Sequence, residues 1–459
     1  MKIRQFEVPG LAQYSYVVSS NGEAVVIDPM RDVERYLGYA ARHRLRIALV
    51  TETHIHADFA SGARALAEAA GAELALSAYD DGERYRYGMP HRRLREGEEA
   101  AIGRLHLRAR HTPGHTPEHL SFLLFDNARS VSEPAALFTG DFLFAGSLGR
   151  PDLLGEEEKQ RLARDLYQSL HSRIASLPDG LQIYPGHGAG SLCGSGMSER
   201  ADSTLGYERA TQPLFRLTEE AFVKEVLDSV PPMPAYYPRM KSLNSEGAPL
   251  ASPLAGERPL TAAEVARRAA EGSIVLDLRS SVAFGGAHIP GAINIGAGQN
   301  LSLWAGWLLD PSRGIILVGD HDNLEKPRRA LLRVGLDRLE GYLARGMTAW
   351  IEDGRDFSRT PQVATGEVLS RNDGALVLDV RSAQEWEAGH IEGAQHLMLG
   401  ELPNRLHLAP RNRPLVTVCG SGYRSSIAAS LLAAAGHPRV SSMNGGMAAW
   451  CAQRLPLDQ

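Results

Sequence analysis

Thr53-His54-Ile55-His56-Ala57-Asp58 stands at a boundary: the apolar, strand-like run Ile47-Ala48-Leu49-Val50 precedes it, and a helical run opens near Ser61. Two imidazoles and a carboxylate therefore crowd into a turn where a strand feeds a helix, the place where α/β folds gather their chemistry. Histidine is the commonest metal ligand, and a neighbouring carboxylate either orients an imidazole or binds metal itself. Three later segments repeat this context. His115 lies in Thr112-Pro113-Gly114-His115-Thr116, Asp141 in Phe138-Thr139-Gly140-Asp141, and His187 in Tyr184-Pro185-Gly186-His187-Gly188. Each offers one potential ligand beside a glycine, inside or just after a short apolar run. The pattern predicts a metal site assembled from separate loops of one α/β domain.

The motif order THxHxD, PGH, TGD, PGH resembles the metallo-β-lactamase superfamily over residues 1–245. The resemblance implies an αββα sandwich with its metal at one sheet edge. Two-metal hydrolases of that superfamily, glyoxalase II among them, continue the first motif with a further histidine. Here Phe59 stands there, with no lone pair to donate. A second metal would be left with Asp58, Asp141 and His187 at best, so one metal is expected.

The stretch Gly146-Ser147-Leu148-Gly149-Arg150-Pro151-Asp152 is similar to the Gly-Arg-x-Asp segment of persulfide dioxygenases. That resemblance implies one Fe(II) per chain on His54, His115 and Asp141, with His56, Asp58 and His187 outside the coordination sphere. A facial set of two histidines and one carboxylate leaves positions for dioxygen and an anionic substrate. Zinc has no redox activity and would not serve. Three residues are candidates for substrate binding. Arg150 suits a substrate carboxylate, or else caps a loop at the surface. Cys193, in the glycine-rich Ala189–Gly196, is either a sulfur relay or a small apolar residue in a tight loop. Tyr184 flanks the His187 motif.

A chain of 459 residues has room for about three domains. Hydrophobic residues make up 43% and charged residues 22%, as in soluble globular proteins. The formal charge of −5 and the lack of long basic runs argue against nucleic acid as a partner. No apolar run has membrane length, and Met1-Lys2-Ile3-Arg4-Gln5-Phe6 lacks the apolar core of a signal peptide. Three cysteines in unlike contexts argue against a disulfide framework and fit a reducing cytosol. A cytoplasmic homo-oligomer is expected. A β-hairpin is expected over 14–28, helices over 33–43, 61–70 and 157–176, and strands over 102–109, 120–125, 136–139 and 181–184. Proline-rich residues 231–259 are expected to end the first domain and form a linker.

The remainder is an internal repeat, with one small α/β domain expected at 260–356 and another at 360–459. Ile274-Val275-Leu276-Asp277-Leu278-Arg279 returns as Leu376-Val377-Leu378-Asp379-Val380-Arg381. His288-Ile289-Pro290-Gly291-Ala292 returns as His390-Ile391-Glu392-Gly393-Ala394, and Gly346-Met347-Thr348-Ala349-Trp350 as Gly446-Met447-Ala448-Ala449-Trp450. These motifs resemble the rhodanese family of sulfurtransferases. In the last copy, Val418-Cys419-Gly420-Ser421-Gly422-Tyr423-Arg424-Ser425 lies between a strand and a helix over 426–435. Glycines let such a loop turn its N–H groups onto sulfur, and the helix N-terminus and Arg424 favour the thiolate nucleophile. The loop is one residue shorter than the phosphate cradle of related phosphatases, which suggests sulfane sulfur. In the first copy, Val318-Gly319-Asp320-His321 puts glycine where the nucleophile belongs. That copy is expected to be silent and to serve in spacing and docking, and Cys451 to serve in packing.

Together the halves suggest oxidation of a glutathione- or coenzyme A-type persulfide by dioxygen to sulfite, with Cys419 making or consuming thiosulfate. The alternatives are a glyoxalase II-like thioester hydrolase and a non-enzymatic sulfur carrier.

Overall fold

A computed structural model describes residues 1–252, 255–320, 324–371 and 373–458. It divides into two compact units, the first holding Met1–Ala251 and the second most of the remainder.

In the first unit, one six-stranded sheet follows chain order through Lys2–Val8, Gln13–Ser20, Glu23–Ile27, Arg46–Thr51, Glu73–Ser77 and Arg92–Leu94. A second runs Ser203–Thr204, Gln182–Pro185, Ala136–Gly140, Leu120–Asp126, Leu105–His111, Glu99–Ile102. Side chains alternate across each strand, and Leu120–Asp126 shows why two layers result. Phe122 and Leu124 face the core between the sheets with Tyr16, Val25 and Leu49. Leu123 and Phe125 point the other way, into a cluster with Leu166 of helix Lys159–Gln168 and Phe222 of helix Glu219–Asp228. Helices Glu34–His43 and Ala63–Ala70 cover the outer face of the first sheet through Tyr36, Tyr39 and Leu66. The layers are those of an αββα sandwich, as expected.

Several expectations need correction. Lys2–Val8 pairs along its whole length with Gln13–Ser20, but its alternation of charged and apolar residues is too short a signal to stand out. The strand expected over 102–109 begins at Leu105, because Gly103 takes φ +59° and turns the chain back from Glu99–Ile102. The helix expected over 157–176 is α-helical only over Lys159–Gln168 and then continues as a π-helical turn, Ser169–Arg173. The supposed linker contains the helix Tyr237–Glu246. It was hidden because its buried face, Tyr237, Met240, Lys241 and Asn244, is half polar. Residues 253–254 of the same stretch lie outside the described residues.

The second unit holds two five-stranded parallel sheets of identical order: Pro259–Leu260, Leu339–Leu343, Ile315–Val318, Ile274–Asp277, Ile293–Asn294, and then Gln362–Val363, Val440–Met443, Leu415–Val418, Leu376–Asp379, Gln395–His396. The repeated motifs are structural devices. Asp277 takes the Arg279 guanidinium at 2.6 Å and Asp379 that of Arg381 at 2.7 Å, and each arginine also donates to the carbonyl of residue 287 or 389. The indoles of Trp350 and Trp450 donate to Asp356 O and Pro456 O, both at 2.8 Å. A polar seam joins the copies. Ser426 Oγ donates to Asn294 Oδ1 at 2.7 Å, Asn294 N–H to Ser430 Oγ at 3.0 Å, and Tyr423 OH to Gly296 O at 3.0 Å. No helix among the described residues is long and apolar enough to cross a membrane.

Candidate metal centre and cysteine loop

The segment from Thr53 to Gly62 has no secondary structure of its own beyond a bridge at Ser61, yet it is buried throughout. Buried backbone must find partners inside the protein, and the neighbours supply them. Thr53 N–H donates to Asp28 Oδ1 at 2.6 Å, Ile55 N–H to Glu118 Oε1 at 2.8 Å, and Ser61 N–H to Asn244 Oδ1 at 2.8 Å. The carbonyls of Ile55, His56, Asp58 and Phe59 accept from Lys241 Nζ, Asn244 Nδ2, Tyr236 OH and Asn244 Nδ2 at 2.7–2.9 Å. The helix Tyr237–Glu246 and the residue before it thus fasten the segment that carries His54, His56 and Asp58.

His54, His115 and Asp141 converge, with Asp141 Oδ2 at 3.8 Å from His54 Nε2 and 3.5 Å from His115 Nε2. All three are fully buried, and neither Nε2 has a hydrogen-bond partner. Their tautomers follow from the opposite nitrogens. His115 Nδ1–H donates to Arg150 O at 2.9 Å. His54 Nδ1 lies 3.0 Å from Thr53 Oγ1, whose hydroxyl is committed to Asp28 Oδ2, so the ring donates there. Both Nε2 lone pairs therefore face the carboxylate. Burial, then His56 beside His54 and His119 beside His115, hold both imidazoles well below the usual histidine range, in the neutral form a metal needs. Unpartnered nitrogens this deeply buried are costly unless something occupies them, and two imidazoles with one carboxylate fit a single divalent transition metal.

His187 behaves differently. Its Nδ1 lies 2.7 Å from Asp141 Oδ1 and its Nε2 2.8 Å from Asp58 Oδ2. Burial opposes its charge, but the two carboxylates outweigh burial and raise its pKa well above the ordinary value. Held between the two carboxylates, His187 buttresses Asp141 from the side opposite His54 and His115. His56 Nε2 is tied to Asp28 Oδ1 at 3.0 Å, and its ring lies 4.4 Å from the fully buried Phe59. Gly140 has φ +51°, and a side chain there would lie 2.5 Å from Thr53 Oγ1 and 2.7 Å from His119 Nε2. Glycine is what lets Asp141 come this close.

In the second unit, Cys419 Sγ accepts Gly422 N–H at 3.1 Å and lies 3.6 Å from Ser425 Oγ. Gly422, at φ +99°, opens the helix Tyr423–Ala434. The Gly-Met-x-Ala-Trp helix braces the loop from behind, with Met447 N–H on Cys419 O at 2.7 Å and Ala448 N–H on Gly420 O at 2.9 Å. A side chain at Gly446 would collide with Cys419 O, as one at Gly346 would with Gly319 O. Gly319 thus occupies the place of Cys419 in a copy with no thiol there. His321 lies outside the described residues. Arg424 does not hydrogen-bond the sulfur: it forks Glu385 at 2.7 and 2.6 Å.

Residues 8–187 match the metallo-beta-lactamase superfamily profile, and residues 261–353 and 365–453 the rhodanese-like domain. The mitochondrial persulfide dioxygenase ETHE1 of Bos taurus is 31% identical over 232 residues, 50% of this chain and 81% of that protein. A hydroxyacylglutathione hydrolase of Anaeromyxobacter dehalogenans is 34% identical over 232 residues, 45% of this chain and 83% of that protein. A solved metallo-beta-lactamase from Staphylococcus aureus superposes with a TM-score of 0.68 at 36% identity, covering 75% of this chain and 99% of its own. The chain belongs to the metallo-beta-lactamase superfamily. Two rhodanese-like domains follow the superfamily domain.

Within the superfamily domain, the candidates for substrate binding fare unequally. Arg150 is 1% exposed and forks Asp152 at 2.7 and 2.8 Å while donating to Leu192 O and Pro231 O. These bonds make Arg150 an organiser of the loops at 152, 192 and 231. Tyr184 stacks on Phe138 at 5.3 Å and meets Tyr16 edge-on at 5.6 Å, against the core between the sheets. Cys193 does reach the centre's flank, within 4.8 Å of the Asp58 and His187 ligand atoms. Burial, then Asp58, pushes its thiol well above the usual range. Sequence reading missed Asp28, Glu118, His119, Tyr236, Lys241 and Asn244. His119 stacks on His54 at 5.2 Å and accepts Asp141 N–H at 3.2 Å. A polar Glu118-His119 pair opening an apolar strand was the one available signal.

Proposed function

We propose that this chain oxidises the terminal sulfur of a low-molecular-weight thiol persulfide, of glutathione or coenzyme A type, with dioxygen, and moves sulfane sulfur through Cys419. The observation that carries the reading is the buried two-histidine, one-carboxylate cluster with both Nε2 atoms unpartnered. Persulfide dioxygenase relatives and the two rhodanese-like domains support sulfur as the element handled.

His54, His115 and Asp141 would hold one Fe(II), which when bound supplies the redox capacity that zinc lacks. The chain's own residues prepare the site. Thr53 and the Arg150 carbonyl fix the two imidazole tautomers, and His187 fixes the Asp141 carboxylate. Overall, one persulfide anion, one dioxygen and one water give one thiol and one bisulfite. The sulfur loses four electrons and dioxygen gains them. At the second site the Cys419 thiolate takes the outer sulfur of a persulfide, releasing the thiol, and becomes a cysteine persulfide. Attack by sulfite on that outer sulfur forms thiosulfate and returns the thiolate. Gly422 N–H and the start of helix Tyr423–Ala434 stabilise the anionic sulfur in both states.

The hydroxyacylglutathione hydrolase relatives favour a second reading, thioester hydrolysis on two metals. Phe59 and the double engagement of His187 weigh against it. Anaerobically purified protein decides between them. One iron per chain, with oxygen uptake on glutathione persulfide that His115→Ala abolishes, is expected. Two zinc per chain with thioester hydrolysis and no oxygen uptake would overturn the proposal. Cys419→Ser should keep oxygen uptake but release sulfite in place of thiosulfate.

A further inference from the structure

Cys419 has no exposed surface, although a sulfur carrier must meet its donor and acceptor. What lies beside it is a charged pair within reach of solvent. Arg424 Nη1 and Nη2 fork Glu385 at 2.7 and 2.6 Å, with the two side chains 23% and 38% exposed. A side chain added at Gly420, next to Cys419, would lie 3.2 Å from Arg424 Nη2 and 3.6 Å from Glu385 Oε1, so the pair rests directly on the loop. Glu385 is itself fixed, its Oε2 accepting the N–H and hydroxyl of Ser382 at 3.0 Å in the capping box that opens helix Ala383–Glu387. Arg424 stands in the first turn of Tyr423–Ala434. The pair therefore ties two helix starts together across the loop.

We propose that the Glu385–Arg424 ion pair is a gate over Cys419 that opens by anion exchange, making Glu385 a determinant of specificity for sulfur oxoanions. The inference rests on the reading of Cys419 as the sulfur-transfer nucleophile. A guanidinium presents two parallel donors that match a carboxylate or any oxoanion with similarly spaced oxygens. Sulfite and thiosulfate can take the fork from Glu385, whereas a neutral molecule has nothing to exchange. The pair is partly exposed, so water screens its attraction and an incoming oxoanion can compete for the fork. While Glu385 holds the fork, its carboxylate also repels anions approaching Sγ.

The test uses the full chain and alkylation of Cys419 by iodoacetate, an anion, and by neutral iodoacetamide, each read on the Cys419 peptide by mass spectrometry. Glu385→Gln keeps an oxygen for the capping box and removes the charge. It should raise the iodoacetate rate about tenfold, the size of one unit charge removed at short range near the surface, and raise the iodoacetamide rate less. The KM for thiosulfate should fall with kcat unchanged, and Glu385→Asp should stay near wild type. An unchanged ratio of the two alkylation rates together with an unchanged KM would overturn the gate. A second measurement needs no variant: inorganic sulfate should accelerate iodoacetamide alkylation of the wild-type chain saturably, relative to chloride at equal ionic strength. Absence of that acceleration equally sinks the proposal. Loss of sulfur transfer in Cys419→Ser tests the transfer reading separately, since alkylation does not depend on turnover.

Discussion

Asn244→Ala removes one side chain that closes three bonds in the segment carrying the metal-site histidines. Asn244 is 1% exposed, its Nδ2 donates to His56 O at 2.8 Å and Phe59 O at 2.7 Å, and its Oδ1 accepts Ser61 N–H at 2.8 Å. Alanine leaves two carbonyls and one N–H buried without their partner. A stranded partner costs about 1–3 kcal/mol, and the space vacated by the amide admits water, which places the sum near the low end, about 3 kcal/mol. For a domain of this size that corresponds to a fall in Tm of about 6–12 °C. Calorimetry of the metal-loaded chain should show the metal-sensitive transition moving by that amount, and chelator should strip the ion faster because His54 and His56 ride on the loosened segment. A shift below about 3 °C with unchanged metal retention would refute the reasoning. Lys241 and Tyr236 would then suffice to hold the segment.

Phe59→His places a donor nitrogen next to Asp58 in a fully buried position; elemental analysis should find zinc content rising towards two per chain, and an unchanged content would remove Phe59 as the determinant of metal number. Arg150→Met should lower stability and metal retention, since it unties Asp152, Leu192 and Pro231 around the carbonyl that orients His115. A raised KM for persulfide at full metal content and wild-type stability would instead restore a substrate role for Arg150. Burial works against the charge on Glu385, yet Arg424 and Ser382 hold its carboxyl down at about 2. A depressed folded pKa gives stability that is complete above the unfolded value and drains away as pH falls towards the folded one. The difference in urea midpoint between wild type and Glu385→Gln should therefore be flat above about pH 5 and shrink below it; a difference that persists unchanged down to about pH 3 would refute the assignment.

The parts of the site that sequence disclosed are those where chemistry and backbone geometry coincide. A histidine or aspartate beside a glycine near an apolar run marks a tight turn at a strand end, and His115, Asp141 and His187 all sit in such places, while His54 follows its strand directly. The duplicated copies were visible because the same residues recur where the fold needs them, an Asp–Arg pair at the end of a strand and a Trp whose indole caps a carbonyl. What stayed hidden was polar burial. Lys241 and Asn244 look like the solvent face of a weak helix, and only the carbonyls they satisfy, far back in the chain, explain them. The engagement of Arg150 was hidden for the same reason. Its partners at 152, 192 and 231 are internal, and a guanidinium next to a metal motif looks the same in sequence whether it awaits a ligand or is already engaged.

The hydroxyls of Tyr423, Ser426 and Ser430 lie on the helix that begins at the Cys419 loop, and all three find their partners on Gly296 and Asn294 of the other copy. Excising that copy would strip polar groups of their counterparts on the helix that follows Cys419. Duplication has here left the copies interlocked: the one without a cysteine supplies the mortise into which its sibling's helix is fitted.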